Sequence, residues 1–204
     1  MDSDVSVEGS RRSAIIQAAL ELFALRGTAE TTLQTIADAA GVSVGLVQHH
    51  FTSKVGLIAA VEAHALEVIG AVMAQPMPQS PAESAPEIGR RVSRLFAEHV
   101  AALDFMGRQL VEGAASGVGL FDAMARMGIA RWEQLAQAGA VHPDLDVVWA
   151  ALNPLLLVFG AIVFRRQLEQ HLAEPLTNPS QLRRWEDSVN ILITQGQLRR
   201  EYWP

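Results

Sequence analysis

The stretch from Thr31 to Lys54 leaves the chain few ways to fold. Two apolar-faced segments, about 31–40 and 44–50, are separated only by Gly41, Val42 and Ser43. Glycine reaches positive φ without a Cβ clash, and serine is a favoured cap for the helix that follows. Two short helices joined by so brief a turn must cross at a steep angle, which needs a small residue where they meet. Ala37 suits that place, with Ile36, Ala40, Val42 and Val47 facing inward. The second helix then turns Val44, Gly45, Leu46, Gln48 and His49 outward.

Helical periodicity continues through the rest of the chain, and no sustained apolar–polar alternation signals a strand. A helix over 11–26 carries Ile16, Ala19, Leu20 and Phe23 on one face, with Ser10 as cap and Gly27 beyond its end. Thr31 and Gln34 have the spacing of a capping box. Ser53 is placed to cap a long helix over 54–74. Pro76, Pro78, Pro81 and Pro86 then break the pattern and mark a connection. Further helices are expected over 87–103, 105–113, 120–138, 145–172 and 181–196.

The class is therefore all-α: an N-terminal three-helix unit over 10–56, preceded by a disordered tail over 1–9, and a larger helical region over 57–204. Half of the 204 residues are apolar, enough for a sizeable core. The absence of cysteine excludes disulfides, thiolate metal sites and a cysteine nucleophile. The acidic start of the chain has no apolar segment of a secretory signal. The apolar run over 147–164 is barely long enough for a membrane span, and Asn153 and Pro154 interrupt it. A buried core or interface helix accounts for it better. No serine–histidine–aspartate grouping, paired carboxylates or glycine-rich phosphate loop stands out, so no catalytic residue is assigned. His49 and His50 are adjacent and point in different directions on a helix, so no metal site or cofactor is expected.

The segment 31–54, together with Ala18, Ala19, Leu20, Glu21, Leu22, Phe23, Arg26 and Gly27, resembles the DNA-binding domain of TetR-type transcriptional regulators. The resemblance covers about the first quarter of the chain. It implies a helix-turn-helix whose second helix enters the major groove of double-stranded DNA. On that resemblance Thr32 caps the second helix and contacts phosphate, and Ser43 caps the recognition helix and turns its N–H groups to phosphate. Gly45 permits close approach to the DNA backbone, while His50 and Lys54 contact phosphates. Gln34, Val44, Leu46 and His49 are the candidates to meet base edges. Gln48 stands where the family usually has tyrosine, and Val44 where it often has a basic residue. The net charge of −6 is unusual for a DNA binder, but 10–56 carries +1, from Arg11, Arg12, Arg26 and Lys54 against Glu21, Glu30 and Asp38. Lys54 is the only lysine in the chain.

The resemblance further implies a cytoplasmic homodimer, probed by a small-molecule effector that releases it from a palindromic operator. Phe96, His99, Leu103, Met106, Phe121, Met124, Trp149 and Asn153 are the candidate effector contacts, and they favour a mostly apolar molecule with one polar anchor. The run over 155–164 is apolar all round and must be buried on more than one side. It places a dimer interface at Leu156, Phe159, Gly160, Val163, Trp185, Val189, Leu192 and Ile193, where the family forms a four-helix bundle. The alternative is an all-helical interaction protein whose helix-turn-helix has lost DNA binding.

Overall fold

The computed structural model describes residues 2–78, 80–198 and 200, leaving aside the side chains of residues 2–7, 81, 82 and 85. The helices are α1 (Asp2–Arg26), α2 (Leu33–Ala40), α3 (Val44–Phe51), α4 (Lys54–Met73) and α5 (Pro81–Glu98), then α6 (Val100–Val111), α7 (Ala115–Gln137), α8 (Val147–Val163), α9 (Arg165–Glu169) and α10 (Pro179–Gln197). Among the described residues, extended pairing is limited to one bridge between Val141 and Leu198. The fold is all-α, with an N-terminal helix-turn-helix and a C-terminal helical region.

The expectation of a disordered tail over 1–9 is corrected: α1 is already helical from Asp2, while Met1 lies outside the described residues. No proline interrupts this stretch, and its weaker helix formers (aspartate, serine, valine and Gly9) each cost about 1 kcal/mol or less relative to alanine. Ser10 consequently lies inside α1 rather than capping it. Ile15, Ile16, Ala19, Leu20 and Phe23 are buried along one face of α1. Gly27, at φ +83°, ends the helix and donates its N–H to the Phe23 carbonyl at 2.8 Å.

Prolines divide the chain differently from expectation. Pro76 and Pro78 do lie in a connection, but Pro81 opens α5 and Pro86 lies within it. Proline is tolerated at a first helical position because the N–H it lacks has no intrahelical partner there. Pro154 likewise does not stop α8. It frees the Ala150 carbonyl four residues earlier, and the Gln197 amide donates to that oxygen at 3.4 Å. The expected break after Leu103 falls instead at His99, between α5 and α6. The expected helix over 145–172 ends at Val163, and a short α9 follows.

One hydrophobic cluster runs from Ile15, Ile36 and Val47 through Val61 to Phe105, Phe159 and Leu182. Phe23 of α1 stacks on Phe105 of α6, ring centroids 6.2 Å apart. The N-terminal helices are therefore packed directly onto the C-terminal ones. A second cluster joins Trp132, Leu135, Ala150, Ala151, Ile193 and Leu198. By length and composition α4 is apolar enough to cross a membrane, at mean hydropathy 1.7. Its Leu57, Val61, Ala65, Ile69 and Val72 form a buried stripe at helical spacing, as a core helix of a globular protein does.

Candidate nucleic-acid interface and buried cavity

The helix-turn-helix is closed by side-chain caps. Thr32 Oγ1 accepts from Thr35 N at 3.1 Å, so Thr32 caps α2, not Thr31. Thr31 is buried and donates to the Gly27 carbonyl at 2.8 Å, tying the end of α1 to the start of α2. Gly41 takes the left-handed conformation at φ +66°, and Val42 N returns to Ala37 O at 2.9 Å. Ser43 Oγ accepts from Leu46 N at 3.2 Å and caps α3. Such caps contribute about 1 kcal/mol each. Ile36, Ala37 and Val47 are fully buried at the crossing, which holds α3 at a fixed angle.

Thr32, Gln34, Ser43, Gly45, Gln48 and His49 are exposed, and Val44, Leu46, His50 and Lys54 are half-buried. Several already have partners. Gln34 Nε2 donates to Asp38 at 2.7 Å. Lys54 Nζ donates to the Ala29 carbonyl at 3.3 Å, pinning the loop between α1 and α2. His49 lies 3.9 Å from Glu8. A Cβ built at Gly45 would meet only Ser43 Oγ at 3.8 Å, so packing within the chain does not require glycine there. At Gly56 it would lie 2.3 Å from the Phe51 carbonyl, and glycine is required.

Between α4, α5, α6, α7, α8 and α10 lies a cavity of about 240 Å³. Its wall is apolar apart from Ser84 and Arg131. Of the expected effector contacts, Leu103, Met106 and Met124 line it. The others do not line it. Phe96 is fully buried against Trp185, centroids 5.5 Å apart. His99 occupies the break between α5 and α6. Phe121 packs on Phe159, itself a wall residue, one layer outside the cavity. Trp149 and Asn153 are exposed. Helical spacing explains the last pair: Ala151, Pro154, Leu155, Val158 and Ile162 take the inner face of α8, and positions 149 and 153 fall on the other.

Arg131 was not among the sequence candidates. Leu120, Met124, Met127, Gly128 and Leu135 share its side of α7 and line the cavity with it. A charge within an apolar helical stripe was the available signal. The connection between α4 and α5 is held by two arginines. Arg91, only 2% exposed, donates to the carbonyls of Met73 at 3.0 Å, Gln75 at 2.8 Å and Pro76 at 2.8 Å. It thereby closes the C-terminal end of α4, where a cation is favoured. Glu87 pairs with Arg91 at 2.8 Å and with Arg90 at 2.8 Å. Hydrogen bonds from Arg91 and then Arg90 hold its carboxyl below the usual carboxylate range. Arg131 donates to the Pro78 carbonyl at 3.1 Å and to the Ser84 hydroxyl.

The expected dimer residues separate into two sets. Leu156 (51% exposed), Val163 and Leu192 (61%) face outward, and a Cβ at Gly160 would meet nothing within 4 Å. Trp149, Phe164 and Ile191 extend this apolar surface. Phe159 and Ile193 are corrected: they are buried and line the cavity. Trp185 and Val189 are half-buried and pack inward, on the first and second core clusters.

Residues 15–61 match the profile of bacterial regulatory proteins of the tetR family. The transcriptional repressor KstR2 of Rhodococcus jostii (strain RHA1) is 44% identical over 55 residues, 27% of this chain and 27% of that protein. The regulator BetI of Ectopseudomonas mendocina (strain ymp) is 36% identical over 69 residues, 34% of this chain and 35% of that one. These alignments span between a quarter and about a third of the relatives' length. The solved structure of the ketosteroid transcriptional regulator KstR2 of Mycobacterium tuberculosis superposes with a TM-score of 0.73 at 20% identity, covering 93% of this chain and 96% of that one. That likeness extends the shared fold to the C-terminal helices.

Proposed function

We propose that the chain is a ligand-responsive transcriptional repressor that binds a palindromic operator as a homodimer and leaves it when a small, mostly apolar effector enters the cavity. The carrying observation is Gly45. It sits exposed in the first turn of α3, where the fold has no use for a glycine. A missing side chain there leaves room for a phosphate backbone beside the N-terminus of a capped helix. Thr32, Ser43, Gln48, His50 and Lys54 are the proposed backbone contacts, and Gln34, Val44, Leu46 and His49 the proposed base-edge contacts.

The exposed apolar surface of α8 and α10 supports the dimer. A second copy placed there by a two-fold axis covers Leu156, Val163 and Leu192 of both chains and sets the two recognition helices to read two half-sites. The cavity supports the effector. It is apolar and bounded by α4, whose first residue follows directly on the turn after α3. Effector and DNA then oppose each other reciprocally. A DNA target places the protein in the cytoplasm. The relatives KstR2 and BetI are a transcriptional repressor and a transcriptional regulator, and no enzymatic role is proposed.

The test is fluorescence anisotropy of the protein on the DNA upstream of its own gene, against a scrambled duplex, at several salt concentrations. The expected result is salt-dependent binding to the upstream duplex, two chains per site. Equal, weak binding to both duplexes, repeated across a library of genomic fragments, would instead favour the interaction protein without DNA binding.

A further inference from the structure

Arg131 and Arg91 are both drawn inward beside the same connection, but their charges are met differently. Arg91 has a carboxylate partner, Glu87, besides its three carbonyls. Among the described residues, the acceptors of Arg131 are all neutral: the Pro78 carbonyl, the Ser84 hydroxyl and, at 3.5 Å, the Gln134 side chain. Its Nε is buried and has no hydrogen-bond partner among the described residues. Arginine does not shed its proton to relieve such a position. Among the described residues, the cavity wall thus carries one cation, no carboxylate and otherwise almost wholly apolar surface.

We infer that the cavity takes a compact apolar monocarboxylic acid whose carboxylate docks on Arg131. This rests on reading the cavity as the effector site. The guanidinium fork matches a carboxylate, and a charged hydrogen bond is about twice as strong as a neutral one. An anion placed elsewhere in this wall would lie against apolar surface without a partner, which is unfavourable. The single cation sets the ligand's charge at minus one. The volume of about 240 Å³ lies below the roughly 300–1,000 Å³ usual for drug-sized ligands, which sets its size. Docking also draws Arg131 from Pro78 and Ser84, neutral acceptors that a carboxylate outcompetes. Ligand entry therefore loosens the connection after α4, the helix that runs back to the helix-turn-helix, while the Arg91 clamp stays closed.

The experiment is titration calorimetry of the full chain with decanoate and with decanol, both below their micelle-forming concentrations. Wild type should bind decanoate about tenfold or more tightly than decanol, as a charge-assisted hydrogen bond implies. Arg131→Met should abolish that preference while decanol still binds, which also reports that the cavity is intact. Ser84→Ala removes a competing acceptor and should tighten decanoate several-fold without changing decanol. Equal affinities in wild type, or a preference that survives Arg131→Met, would overturn the assignment. So would failure of decanoate to bind a preparation that binds DNA selectively. If Arg131→Met does not fold, Ser84→Ala decides: an unchanged decanoate affinity overturns the inference. Decanoate preference in a protein without selective DNA binding would keep this site and end the repressor reading.

Discussion

The helix-turn-helix end and the cavity end are both built from apolar helices, yet they are packed to different standards. At the first, Ile15, Phe23, Ile36, Val47 and Leu57 are fully buried, and the turns close on Thr32, Gly41 and Ser43. At the second, Met73, Met124, Leu155 and Val158 are only partly buried around open space, and α5 and α8 each contain a proline. A surface that must match the fixed spacing of DNA gains from a dense core, in which small displacements are resisted. A site that must admit a ligand gains from flexible side chains such as methionine. The two share one continuous cluster, so a change in one reaches the other through α4 and through the Phe23–Phe105 stack.

The largest effect should come from cutting that stack. Phe105→Ala should destabilise the chain by about 3–5 kcal/mol in urea unfolding. A second, earlier transition would show that the two ends then melt separately, and an unchanged midpoint would show that they are not mechanically joined. The packing contrast itself is tested by enlarging one residue at each end. Leu20→Phe, in the dense end, should cost about 1–3 kcal/mol. Met124→Phe, at the cavity wall, should cost less than half as much in the same assay and weaken decanol binding. Equal costs would mean that the cavity is no more yielding than the core.

Smaller still, Ser43→Ala removes the cap of α3 and should lower stability by about 1 kcal/mol, with a thermal shift of a few degrees as the readout. The smallest stability change belongs to Gly45→Ala. The site has room for a methyl group, and alanine is the better helix former by up to about 1 kcal/mol. Stability should therefore hold or rise slightly while anisotropy shows weaker DNA binding. A drop in stability with unchanged DNA affinity would remove the main support for the interface proposed on α3.

Much of the N-terminal end was legible because its signals are local. Gly41, Ser43 and Ser53 act within a few residues of themselves, and the 3.6-residue period marks Ile16, Leu20 and Phe23 as one face. The cap at Thr32 came from the family resemblance, whereas the capping-box spacing pointed one residue too early, to Thr31. Pro81 and Pro86 misled, since they open and continue α5 rather than mark a connection, whereas the expected helix over 145–172 already ran through Pro154. Whether a proline ends a helix depends on what becomes of the carbonyl it frees, and Gln197 is 47 residues from Ala150. The starts of α1 and α7 and the division between α5 and α6 were misplaced where no strong cap marks the boundary.

The sequence by itself determined the helical class, the helix-turn-helix and the apolar character of α8, because each follows from periodicity, caps and composition over a few turns. Only the tertiary structure decided which side of α8 faces the cavity and which faces outward. An all-apolar helix has no polar face to orient it, and its rotation is set by the helices packed against it. The same is true of Arg131. Its residue type and its place on an apolar stripe were visible in the sequence. That its Nε would lie buried beside a cavity, with neutral partners drawn from the connection after α4, depended on five helices closing around it.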